Sequence, residues 1–299
     1  MNMRTLTVPG LAAAAALLAT SLSPISVQAS TPIYLAAQLN GENEISPQGA
    51  KAGDLDGSAL AVFRIHGHRV DYAVRWAKVA APSGFHIHRG RSDENGDVKV
   101  PFFGEELPNS LHAVKGTVLV KDLGLLRRIV TNPGNWYANL HNAEHVPGAV
   151  RAQLHRVRPV DLNSVLSHGF GTTLTTQADG RQEVPAPGMK VGDHNGRAAW
   201  LVQPEGGRMW FATAWKGVSR PVAAHIHRAR KGKNGPVVVP FFTAKKGLPP
   251  SVNGLAGSVV TPDPVARRIW NNPKNWYVNL HTAQFPGGAV RGQLYKGDW

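Results

Sequence analysis

The tetrapeptide H-I-H-R occurs twice, beginning at His86 and at His225, and each occurrence is followed downstream by N-L-H, ending at His141 and at His281. On an extended strand the side chains at i and i+2 leave the same face, roughly 6.5–7 Å apart along the chain. His86 therefore projects beside His88, and His225 beside His227, while Ile87 and Ile226 turn to the opposite face and can join a core. Where the N-L-H strand lies alongside, Leu140 and Leu280 turn inward and a third imidazole completes each group. Three neutral imidazoles at about 2 Å from one ion, with a coordination position left open, suit copper or zinc. The chain has no cysteine, so no thiolate is available and a blue-copper electron-transfer centre is excluded. Metal binding by His86, His88, His141, His225, His227 and His281 is one reading. A hydrogen-bonded cluster that fixes the sheet, with Asn139 and Asn279 as partners, is a second, and direct catalysis is a third. Imidazole must be neutral to coordinate, so a metal held by unperturbed rings would be lost near about pH 5–6.

The triads belong to a long internal repeat. Sliding the chain against itself by 139 to 141 residues brings Glu44 onto Glu183, K-A-G-D at Lys51 onto K-V-G-D at Lys190, and Trp76 onto Trp215. The same shift brings P-F-F at Pro101 onto P-F-F at Pro240, R-R-I at Arg127 onto R-R-I at Arg267, and N-W-Y-A-N-L-H at Asn135 onto N-W-Y-V-N-L-H at Asn275. A unit of about 125 residues is far longer than a solenoid repeat and reads as a tandem duplication. The duplication also filters the 13 histidines: the six of the triads keep their places, while His66, His68, His112, His145, His155, His168 and His194 face other residues. Residues 156–171 have no twin, which gives a first domain over 30–156, a linker over 157–170 and a second domain over 171–299.

The elements that must position the histidines are strands. Residues 58–76 alternate apolar and polar on both sides of a turn at Gly67 and His68, and the segments A-V-R-A-Q-L and A-V-R-G-Q-L alternate too. Turn pairs such as Asn95-Gly96, Asn234-Gly235, Asp56-Gly57 and Asn195-Gly196 recur at short intervals. One short helix is expected before Pro133 and its twin before Pro273. The pattern predicts an all-β chain of two antiparallel sandwiches or flattened barrels. Trp76, Trp136, Trp215 and Trp276 read as core, and Arg151 and Arg291 as cations that tie sheet edges together. The acidic run at residues 92–97 has lysines in its twin and lacks the twelve-residue calcium pattern. There is no nucleophile elbow, phosphate loop or dinucleotide fingerprint, and no matched carboxylate pair beyond Glu44 with Glu183 and Asp54 with Asp193.

The first 29 residues combine Arg4, an apolar run over 11–19 and the small-residue step Val27-Gln28-Ala29. They read as a secretory leader cleaved after Ala29, too short in its apolar run to span a bilayer. The expected location is therefore secreted or periplasmic, with no membrane span. The net charge of +14 is uneven: residues 30–160 hold 15 Lys/Arg against 12 Asp/Glu, and residues 161–299 hold 17 against 7. A basic surface favours anionic partners, and export turns that away from nucleic acid toward an anionic envelope polymer or another exported protein. The basic run over residues 227–233 reads as a solvated loop.

Together, H-I-H, N-W-Y-V-N-L-H-T and F-P-G-G-A-V-R-G-Q-L resemble the CHRD domain, the module named for chordin, once in each repeat. The first copy departs from the family pattern at Asn142 and Ala152, and both copies carry alanine, Ala149 and Ala289, where the family often has an acidic residue. The resemblance implies an immunoglobulin-like β-sandwich and an extracellular binding module. Its histidines are similar in arrangement to the copper ligands of copper-zinc superoxide dismutase, an analogy of fold that confers no activity. The expectation is a non-enzymatic exported protein whose two modules each hold copper or zinc. The alternatives are a copper- or zinc-dependent enzyme using the open position, and an adhesive module for anionic polymers with purely structural histidines.

Overall fold

The computed structural model describes residues 31–297; the leader expected over residues 1–29 lies outside them. The first copy runs through β1 (Ile33–Asn40), β2 (Ser58–His66), β3 (Arg69–Ala77), β4 (Pro82–Arg89), β5 (Val98–Phe103) and β6 (Leu111–Leu119). Helix α1 (Leu123–Thr131) follows, then β7 (Trp136–Asn142), β8 (Val150–Gln153) and β9 (His155–Val157). After a short helix α2 (Asn163–Ser167), the second copy repeats the order as β10 (Leu174–Asp179), β11 (Arg197–Glu205), β12 (Arg208–Lys216), β13 (Pro221–Arg228), β14 (Val237–Thr243) and β15 (Val252–Val260). It closes with α3 (Asp263–Asn271), β16 (Trp276–Thr282), β17 (Val290–Gln293) and β18 (Tyr295–Lys296). Asp122 caps α1 by accepting from the Leu125 amide at 2.9 Å, and Pro133 starts the next turn, as expected for a helix stop.

Each copy is an antiparallel sandwich. In the first, β6–β3–β2–β1 form one layer and β8–β7–β4–β5 the other, and β1 joins them by pairing with β9 and, through Asn40 and Arg151, with β8. The layers meet through Phe63 and Tyr72 from one side and Phe85 and Phe102 from the other, with ring centroids 4.7–6.0 Å apart. In the second copy Trp200 and Phe211 meet Phe241 at 5.6 and 4.3 Å. All four repeat-matched tryptophans are buried in this core. Ile87, Ala138 and Leu140 face it as well, which turns the alternate positions of β4 and β7 outward.

The two sandwiches are joined edge to edge. β6 pairs antiparallel with β15, so that Leu111 faces Gly257, Val114 faces Leu255 and Gly116 faces Val252. Because Leu111 and Val252, Val114 and Leu255, and Gly116 and Gly257 are also repeat partners, the joint is isologous, like that of a homodimer. A Cβ at Gly116 would overlap the Ser251 carbonyl, and one at Gly257 the Ser110 carbonyl; those carbonyls instead accept from Thr117 and Ser258 at 2.9 Å. Tyr72 of the first copy reaches Ser251 of the second at 3.0 Å. The connector is no free tether: Val157, Val160, Leu162 and Val165 pack on Ala36, Val62 and Ala73, and Leu166 and Phe170 pack on Ala113, Ala212 and Ala256. The free sheet edges, β5 and β14, carry Pro101 and Pro240 and irregular registers against β4 and β13, features that discourage edge pairing. Among the described residues no helix is long and apolar enough to cross a membrane.

Candidate metal centre

β4 lies beside β7 with Gly84 opposite His141, His86 opposite Asn139 and His88 opposite Tyr137. This register brings His86, His88 and His141 to one outward patch, and β13 beside β16 does the same for His225, His227 and His281. In each triad one nitrogen from every ring lies within 4.8 Å of the others. No Asp or Glu joins either group among the described residues. Ring centroids of His86 and His141 are 5.0 Å apart and those of His225 and His281 4.9 Å, so the copies agree closely.

Backbone carbonyls fix the tautomers. The Nδ1–H of His88 donates to Gly96 O at 2.8 Å, and that of His141 to Val146 O at 2.9 Å. His227 and His281 repeat this with Gly235 and Pro286, both at 3.0 Å. A carbonyl only accepts, so each Nδ1 carries the hydrogen and each Nε2 presents a lone pair. The Nε2 atoms of His88, His141 and His227, and Nδ1 of His86, are buried without a protein partner. Burial, followed by the neighbouring histidines, pushes His86 and His225 down to about 4. Burial also lowers His88, His141, His227 and His281. The six rings are therefore neutral at neutral pH, with their nitrogens already brought together in each triad. Outer carbonyls that orient ligating imidazoles in this way are a regular feature of histidine metal sites.

The cluster reading based on Asn139 and Asn279 loses its named partners. Their amides donate to Glu44 at 3.5 Å and to Glu183 at 3.3 Å, and their Oδ1 atoms have no partner. Within the triads the one ring-to-ring hydrogen bond is His225 Nδ1 to His281 Nε2 at 3.3 Å.

A second layer supports the triads, and the sequence reading did not find it as a unit. Tyr137 stacks on His88 with centroids 4.8 Å apart and planes 10° apart, and Arg151 lies 3.5 Å from the Tyr137 ring centre. Tyr277, His227 and Arg291 repeat the stack at 4.8 and 3.4 Å. Arg151 and Arg291 are almost fully buried and, rather than tying sheet edges together, hold down loops: Arg151 donates to the carbonyls of Arg91 and Glu94 and to Asn95, and Arg291 to those of Arg230 and Lys233 and to Asn234. The basic run after His227 is thus a solvated loop folded over Arg291. Glu44 and Glu183 sit beside these arginines, and burial pushes both carboxyls up to about 7 against the arginine charge. Gly148 and Gly288 let them approach, since a Cβ at either would overlap the carboxyl group.

Two repeated sandwiches, each with a histidine triad on the outer face of β4–β7 or β13–β16, define a tandem β-sandwich module. The CHRD domain model matches residues 35–154 and again residues 174–294. The chain belongs to the CHRD domain family, in two tandem copies. Comparison with curated proteins and with solved structures gives no match.

Proposed function

We propose that this chain is an exported, non-enzymatic binding protein whose two CHRD domains each hold one copper or zinc ion through His86, His88 and His141 and through His225, His227 and His281. The observation that carries the reading is the convergence, twice, of three neutral imidazoles, with three buried nitrogens left without a protein partner in the first triad and His227 Nε2 in the second. Buried polar atoms are rarely left unpartnered, and an ion would satisfy these together. Donors that are all nitrogen and uncharged favour copper or zinc over magnesium or calcium. Among the described residues no Asp or Glu belongs to either group of nitrogen donors, and the reading stays with binding.

The test is metal analysis of the full chain, produced without an affinity histidine tag and loaded with copper(II) or with zinc. Loading should approach two ions per chain. His86→Ala with His88→Ala should leave one, and adding His225→Ala with His227→Ala should leave none. Uptake of neither metal, or unchanged uptake by the fourfold variant, would make the triads a packing device and end the proposal.

A further inference from the structure

The outer face of β1–β2–β3 is covered by the connector, whose Val157, Val160, Leu162 and Val165 pack on Ala36, Val62 and Ala73. The equivalent face of the second copy, over β10, β11 and β12, is covered only along one side among the described residues. There Asn163, Leu166 and Ser167 form the wall of a groove of about 590 Å³. Its floor includes Ala199, Leu201 and Ala212, the positions that alternate with core-facing Ala198, Trp200 and Phe211. Among the described residues its cations are Lys115, Arg197 and Lys216, and no Asp or Glu lines it.

Two of these charges have no counterpart in the first copy. Arg197 directly faces Lys216 across β11 and β12, whereas the first copy has Ser58 facing Ala77 at the same register. Like charges in facing positions oppose strand pairing. Neither residue takes part in an ion pair among the described residues. Arg197 donates to the carbonyls of His194 and Gly196, and Lys115 to the amide oxygen of Asn163, all neutral acceptors. Asp179 faces Arg197 in the register of β10 and β11, but its carboxylate accepts from the backbone amides of Arg181 and Gln182. Burial lowers the pKa of Lys115 in spite of the opposing charges of Asp161 and Asp71, which lie outside the groove lining.

We infer that this groove binds a single-chain anionic amphiphile, with its apolar chain along the alanine floor and its acid group among Lys115, Arg197 and Lys216. The volume lies within the usual range of roughly 300–1,000 Å³ for small-molecule clefts. A polyanion would answer the cations but bring nothing apolar to Leu166 and Leu201. A neutral lipid would cover the floor and leave the cations unanswered. The site is separate from the histidine triads and does not depend on their reading.

Calorimetric titration of the full chain, held in chelator, with sodium laurate below its micellar concentration tests this inference. Laurate should bind once per chain, and dodecyltrimethylammonium, with the same tail and opposite charge, should not. Arg197→Ser with Lys216→Ala restores the neutral pair of the first copy, so it suits the fold; it should weaken laurate about tenfold or more. Ala199→Phe, which fills the floor, should abolish binding, while both variants keep the metal uptake of the parent. Equal binding of the two surfactants, equal laurate affinity in the double variant, or no laurate binding would overturn the inference. Saturable binding of dextran sulfate without laurate binding would replace it with a polyanion surface.

Discussion

Glu44 and Glu183 are the residues where the sheet face has most room to respond to pH. Each carboxyl is raised from 4.5 to about 7 by burial, so the folded chain binds these protons more tightly than the unfolded chain does. Their contribution to stability is present at acid pH and is lost as pH rises through about 7. His86 and His225 behave in the opposite sense: lowered from 6.5 to about 4, they favour the folded state above pH 6.5 and cost stability as pH falls toward 4. Burial also lowers the other four triad histidines, so six imidazoles outweigh two carboxyls and metal-free protein should be most stable at about pH 6.5. Glu44→Gln with Glu183→Gln should flatten the alkaline side, raising stability at pH 8 by on the order of 1–2 kcal/mol per copy. Calorimetric melting from pH 5 to 8 reads this directly, and a double variant that follows the parent curve would exclude it. The lowered histidines also revise the expectation drawn from free imidazole. Protons should displace bound zinc closer to pH 4–5 than to pH 6, and a competition titration with a zinc indicator across that range would show where release falls. These carboxyls were hard to see in the sequence because Glu44 stands 95 residues from Asn139 and Glu183 stands 96 from Asn279. Their match across the repeat was visible; the buried site that gives it meaning was not.

Strand periodicity made the triads legible. Two histidines two apart must share a face, and a third can join them only from a neighbouring strand, which the pairing of β4 with β7 supplies. The Tyr137 stack was not legible, because it needs the order β4–β7–β8, and spacing along a chain does not give the order of strands across a sheet. The loops behind the triads are also unequal. Gly96 closes the acidic stretch that follows β4, and Gly235 closes a stretch with lysines after β13. That difference should make the second site the weaker for a cation by a few-fold, since like charge nearby opposes binding. Zinc titrations of the two single-triad variants should show the gap and its narrowing with added salt. Equal affinities at low salt would mean that the loop lysines are too well solvated to matter. The connector was read as a plain linker for the same reason that the joint went unseen. Val160, Leu162 and Leu166 are ordinary apolar residues until the faces they cover are known.

At the scale of the whole molecule, residues 31–297 should melt as one unit, because β6 and β15 complete each other's sheets. Gly116→Val forces a side chain against the Ser251 carbonyl and should cost about 3 kcal/mol or more, lowering or splitting the transition. Two well-separated transitions in the parent protein would show that the copies hold themselves up independently. The joint has a further consequence. In a dimer of identical chains, every substitution is made twice and must suit both positions at once. Here the twofold arrangement survives while the partners are encoded separately, so one can change while the other stays as it was. The faces around Ser58 and Ala77 and around Arg197 and Lys216 have already parted in this way. With both sides of the symmetric joint written in one chain, the two sides are free to take different tasks.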